Sequence, residues 1–243
     1  MRKTWKKAAA ILTAAGLLLT AEHLLPMQTL TADAAAQTIT NDCFWKDTDG
    51  NFIYSQGGGV FKFGDTYYWY GVHYGGAETY AKNPTALNSD TGFKSITCYS
   101  SSDLVNWKFE NDVLTPNSKG MGFASWLGRM GVAYCPQSKK YVLVTQYNDS
   151  VLFAVCDTPT GNFEVKNVQD QIEGVQKQGT GDQTVFVDDD GQAYLICSNK
   201  GGRGYQYVCR LRPSDFLAAE KAVMVGKGSG REGDCMFKYK NKY

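Results

Sequence analysis

Residues 183–199 read QTVFVDDDGQAYLICSN, an apolar alternating run, an acidic turn closing on Asp190-Gly191, and a second apolar run. β-Branched and aromatic residues on both sides of an Asp-Gly turn are the pattern of a β-hairpin, because Gly accepts the backbone angles a tight turn needs. The pattern recurs. Gly57–Gly71 is GGGVFKFGDTYYWYG, Gly131–Tyr147 is GVAYCPQSKKYVLVTQY, and Asp234–Tyr243 is DCMFKYKNKY. After each of the first three hairpins comes another strand and turn, as in ITCYSSSDLVNWKF from Ile96, LFAVCDTPTGNFEV from Leu152 and YVCRLRPSDFLAA from Tyr207.

Aligned on Val60, Val132, Val185 and Met236, the units are 72, 53 and 51 residues apart. A period near fifty with about four short strands per unit predicts the blades of a β-propeller, all-β and without a long helix. Three blades are expected in full and a fourth begins at Met236, about three and a half blades in all. In this register Cys98, Cys156 and Cys209 take the same strand of successive blades. Such positions are too far apart to pair, so they are read as small buried apolar side chains although the chain has seven cysteines.

The N-terminus has another character. MRKTWKKAAAILTAAGLLLTAEHLL joins a basic start to an Ala/Leu run, and small residues near Ala36 suit cleavage. Residues 1–36 are therefore expected to be a secretory signal peptide and residues 37–243 the N-terminal part of an extracellular propeller domain, with no membrane attachment after cleavage. An uncleaved anchor is disfavoured by Glu22 and His23, which interrupt the apolar run. Removing the leader takes away four basic and two acidic residues and leaves 21 against 22. That balance argues against nucleic acid or an anionic membrane as partner. Of the two histidines only His73 remains, which excludes zinc sites built on several histidines.

In a propeller the first strand of each blade lines the channel, and ligand sites form where those strands open. The residues just before the aligned strands are SQGGG, LGRMG, TGDQ and GREGD, which deliver Gln56, Arg129, Asp182 and Glu232 to one mouth. Two carboxylates and an arginine converge there among glycines that permit close approach.

Three stretches, DTDGNFIYSQGGGVFKFGDTYYWYG, GDQTVFVDDDGQAYL and REGDCMFKYKNKY, together resemble glycoside hydrolase family 43, particularly its galactan-acting (exo-β-1,3-galactanase-like) members. The resemblance runs from about Asp47 to Tyr243 in blade order. It implies a five-bladed β-propeller and inverting hydrolysis of plant cell-wall polysaccharide, galactan or arabinogalactan, by a general acid, a general base and a third carboxylate that tunes the acid. By motif position Glu232 matches the acid and Asp182 the tuning residue. The chemistry is consistent with that assignment, since a second carboxylate nearby raises a glutamate's pKa and keeps it protonated. Arg129 and Arg231 are expected to hold Asp182 ionised or to bind sugar hydroxyls.

The sequence departs from the family at three points. Where the family carries an aspartate base in blade one there is Gln56, where galactan-acting relatives tend to place a glutamate after YYWYG there is Val72, and Gly128 replaces another before Arg129. Inversion needs a group to activate water. Gln56 could orient that water, a base could come from blades beyond Tyr243, which is the favoured expectation, or the protein could be a propeller that binds glycan without cleaving it. Tyr54 and Trp126 are the aromatic residues expected to meet an oligosaccharide or polysaccharide, with His73 as a further contact. DTDGN and DDDG are read as hairpin turns rather than calcium loops. No cofactor is expected to be required, and a structural calcium or sodium ion in the channel is compatible with this fold.

Overall fold

Twelve strands fall into three antiparallel sheets, each built from four strands consecutive in the chain. Blade one comprises β1 (Gln56–Phe63), β2 (Thr66–Tyr74), β3 (Phe93–Ser101) and β4 (Lys108–Leu114). Blade two comprises β5 (Leu127–Cys135), β6 (Lys140–Tyr147), β7 (Ser150–Cys156) and β8 (Glu164–Gln169). Blade three comprises β9 (Thr180–Val187), β10 (Ala193–Asn199), β11 (Tyr205–Leu211) and β12 (Ala219–Lys227). The computed structural model describes residues 38–86, 88–123, 126–176, 179–199, 204–228 and 230–243, so the expected signal peptide lies outside the described residues. Residues 39–243 make up one compact unit.

β1 packs beside β5 and β5 beside β9, so the first strand of each blade is the inner one, as a propeller requires. The sequence explains the packing. Along β6 successive side chains point to opposite faces. Leu143 joins Val132, Leu152, Tyr70 and Ile96 in a core between blades one and two. Val142 and Val144 join Phe153, Val185, Leu195 and Tyr207 in a second core between blades two and three. A strand buried on both faces reads as an unbroken apolar run, which is why YVLV shows no polar alternation.

Cys98, Cys156 and Cys209 lie on β3, β7 and β11, each the third strand of its blade. All seven cysteines are free, with Cys98 and Cys209 fully buried. The longer first period has a local cause, a short helix α1 (Ala77–Lys82) inserted between β2 and β3. Both aspartate-rich stretches are turns. Asp47 accepts the Asp49 and Asn51 N–H groups, and Gly191 turns the β9–β10 hairpin with φ 81°.

The strand expected to start at Met236 is not formed. Residues 230–238 make no ladder, and only Tyr239 and Lys242 bridge, around Lys240 and Asn241 with φ of 48° and 61°. A hairpin without further strands is marginal, and here side chains dock the segment instead. Lys238 Nζ is 2.8 Å from both Asp188 Oδ1 and Asp189 Oδ2, and the Tyr243 ring meets Phe186 edge-on at 5.8 Å.

Candidate active site

Each inner strand breaks its pairing at the same end. On β9 Thr180 pairs with Asn199 and Gln183 with Cys197, which leaves Gly181 and Asp182 opposite Ser198 alone. On β5 Leu127 pairs with Tyr147 and Met130 with Thr145, leaving Gly128 and Arg129 opposite Gln146. On β1 the irregularity sits one rung further along, at Gly57 and Gly58 opposite Gly71, and Gln56 faces Val72. A β-bulge re-aims the side chain it carries. Glycine leads it because space is lacking, since a β-carbon on Gly128 would lie 2.5 Å from Gln146 Oε1 and one on Gly181 2.5 Å from Ser198 Oγ. Counted from Val132 and Val185, Arg129 and Asp182 occupy matching slots three residues back, and Gln56 stands four residues before Val60.

These slots open into one cavity of about 620 Å³, whose walls include Gln56, Trp126, Arg129, Asp182 and Glu232. Arg129 Nε donates to Asp182 Oδ2 at 2.6 Å, joining blade two to blade three. The Arg129 side chain is hemmed in on both sides. A β-carbon on Gly57 would lie 3.4 Å from Arg129 Cγ, and one on Gly233 would lie 3.7 Å from its Nη2. The Arg129–Asp182 pair is only partly exposed, 39% and 17%, so its attraction is less screened than that of a surface pair.

The other sequence-predicted residues stand apart from this group. Tyr54 and His73 stack on each other, centroids 4.7 Å apart, and Tyr54 faces an adjoining cavity of about 380 Å³ that shares Gln56 with the first. His73 does not line either cavity, and burial followed by the Lys94 charge lowers its pKa. Arg231 is exposed beside Glu232 and is not among the wall residues. Of the loop expected to line the cleft, Ala124 and Ser125 lie outside the described residues, whereas Trp126 is in the wall.

Three further groups lie at or beside the cavity. Tyr74 lines the cavity and donates its hydroxyl to the Leu127 carbonyl, and its pKa is pushed up to about 12, mainly by burial and also by the Asp182 charge. Asp149 reaches the rim from the β6–β7 turn, where Asn148 is left-handed with φ 52°. Asp234 is half-buried beside the site, and its carboxyl accepts the Ser198 N–H opposite the β9 bulge. Burial, then the charge of Asp182, pushes its pKa up to about 6, against the pull of the Ser198 N–H and Arg129. The turn residues of YNDSV are a signal that could have found Asp149. Only the packing of the final segment reveals Asp234.

Among the described residues no three His, Cys, Asp or Glu side chains are grouped to hold a metal ion. No helix among them is long and apolar enough to cross a membrane.

Three blades thus bring their inner strands side by side, with two carboxyl groups and a guanidinium in the walls of one cavity. The sequence profile of glycosyl hydrolases family 43 matches residues 59–243, and the chain belongs to that family. Among solved structures it is similar to an exo-β-1,3-galactanase from Clostridium thermocellum, with 29% identity and a TM-score of 0.69 over 83% of this chain and 44% of that one. An exo-β-1,3-galactanase from Phanerochaete chrysosporium, a glutamate-to-glutamine variant with β-1,3-galactotriose, is 26% identical with a TM-score of 0.65 over 81% of this chain and 44% of that one. An α-L-arabinofuranosidase from Clostridium thermocellum is 26% identical with a TM-score of 0.53, over 69% and 54% of the two chains. The chain thus spans less than half the length of both galactanases. No curated protein sequence matches it.

Proposed function

We propose that the protein is a secreted glycoside hydrolase that cleaves galactan or arabinogalactan by an inverting acid/base mechanism. The observation that carries this reading is the ion pair of Arg129 with Asp182 in the same cavity as Glu232, on a family 43 propeller. Glu232 protonates the departing glycosidic oxygen, while Asp182, held by Arg129, places a carboxylate in the same cavity. Water attacks the opposite face of the sugar and inverts the anomeric centre. Gln56 can orient that water but, as an amide, does not take its proton. The base is proposed to come from a part of the fold beyond the three blades. The bound β-1,3-galactotriose of one similar structure supports a galactose-containing oligosaccharide as substrate, and the basic-then-apolar leader supports export.

Gln56 also motivates a second reading, a propeller that binds glycan without cleaving it. Incubating the full-length protein with β-1,3-galactan and following the anomeric protons of the product separates the two. Release of α-configured galactose supports inversion. Retention on a galactan affinity gel with no release gives the binding reading, and β-configured product overturns the inverting mechanism.

A further inference from the structure

The mouth holds a third carboxyl that the acid and tuning roles do not use. On β9 the bulge leaves Gly181 and Asp182 facing Ser198. The Ser198 N–H reaches across to the carboxyl of Asp234, so Asp182 and Asp234 sit on either side of one backbone irregularity. Gly233, the neighbour of Asp234, lies against the guanidinium that Arg129 extends to Asp182. Asp234 Oδ2 is buried and has no hydrogen-bond partner among the described residues.

Two carboxylates beside one guanidinium leave a net negative charge in a poorly solvated place, and such a cluster relieves it by keeping a proton. Asp234 is the carboxyl placed to keep it. Asp182 already has the direct 2.6 Å contact with Arg129, whereas Asp234 has only backbone donors, the N–H groups of Ser198 and of Asp234 itself, and one bare oxygen. The charged and titratable groups around Asp234 are Asp182 on β9, Arg129 on β5, Cys197 on β10 and Glu232 on its own segment.

We propose that Asp234 is a positioning residue for the hydrolysis, holding the Arg129–Asp182 pair in place and setting, through its own proton, the charge that the pair feels. This rests on the hydrolase reading above. With Asp234 protonated, Arg129 serves Asp182 alone. Once that proton leaves, two anions compete for the guanidinium, and the charge next to the acid changes by one. The pKa pushed up to about 6 places this change within the range in which an extracellular hydrolase works.

The test is a double-mutant cycle on the full-length protein, using Asp234→Asn, which fixes the neutral form, in the parent and in an Asp182→Asn background. Ionising a carboxyl whose folded pKa is raised destabilises the folded state, so the penalty grows as pH rises from the unfolded value near ~4 through about 6. The melting advantage of Asp234→Asn over the parent should therefore grow by several degrees between about pH 4 and about pH 8. With Asp182→Asn, that growth should shrink and move to lower pH. On a nitrophenyl β-galactoside, the parent's kcat/KM profile should show an ionisation near pH 6 that Asp234→Asn lacks. A pH-independent melting difference, equal growth in both backgrounds, or an unchanged rate profile overturns the proposal. If no galactoside is cleaved at any pH, the hydrolase reading falls, and the melting cycle alone decides whether Asp234 holds the proton against Asp182.

Discussion

Arg129 on the inner strand of blade two and Asp182 on that of blade three share a hydrogen bond of 2.6 Å, so the chemistry of the mouth and the contact between blades are the same interaction. The Arg129 stem runs past Gly57 of blade one and its guanidinium past Gly233 of the final segment. One side chain thus lies beside blade one, blade three and the final segment.

Replacing Arg129 should therefore affect stability and activity together. Arg129→Lys keeps the charge but loses the planar fork, and Arg129→Ala leaves Asp182, 17% exposed, without its partner. We expect Arg129→Ala to cost about 1–3 kcal/mol in stability and to lower kcat/KM by roughly ten- to a hundredfold, with Arg129→Lys between it and the parent. Melting curves and galactoside kinetics check this. A fully active Arg129→Ala would remove the pair from the site.

Glu232→Gln should slow hydrolysis of ordinary glycosides by on the order of a hundredfold or more, the scale of losing general acid catalysis. Substrates whose leaving group needs little protonation, such as dinitrophenyl galactosides, should be largely spared. Equal loss on both would make Glu232 a binding residue.

The docked final segment should respond to acid. Lys238, then the Tyr243 hydroxyl, hold the Asp188 carboxyl down at about 2. A carboxyl with a depressed folded pKa contributes stability above its unfolded value, and that stability is lost as pH falls. Protection factors of the β9–β10 turn amides should therefore drop as pH falls from about 4 to about 2. Lys238→Met should show the weaker protection already at neutral pH, and a turn equally protected in both proteins contradicts this account.

Blades two and three pack tightly at Gly131, where a β-carbon would lie 2.5 Å from the Val185 backbone nitrogen and 2.6 Å from its Cβ. Backbone cannot move aside as a flexible side chain can. Gly131→Ala should cost about 1–3 kcal/mol or more through overpacking, seen as a lower denaturant midpoint. An unchanged midpoint would mean the blades slide freely.

Much of this architecture was legible in the sequence because hairpins write themselves locally. Turn glycines at Gly64 and Gly191 and the both-faces-buried run of β6 fixed blade number and order. The slots of Gln56, Arg129 and Asp182 could be read from the repeat. Helix α1 could not, being six residues without a single buried side chain and therefore without an apolar stripe. Nor could the fate of Met236, where a sequence with strand character is held by Lys238 and Tyr243 rather than by a ladder. Asp234 escaped notice because its surroundings come from β5, β9 and β10, all distant in the chain.

The inner-strand bulges separate two kinds of selection within one strand. Residues past the irregularity, such as Val132 and Val185, are packed between blades, whereas Arg129 and Asp182 line the cavity and at the same time tie blade two to blade three. A change at either of those two side chains therefore weighs on the blade seam as well as on recognition. Gln56, exposed at the cavity wall, carries no such double duty and is the position where recognition can drift while the scaffold persists.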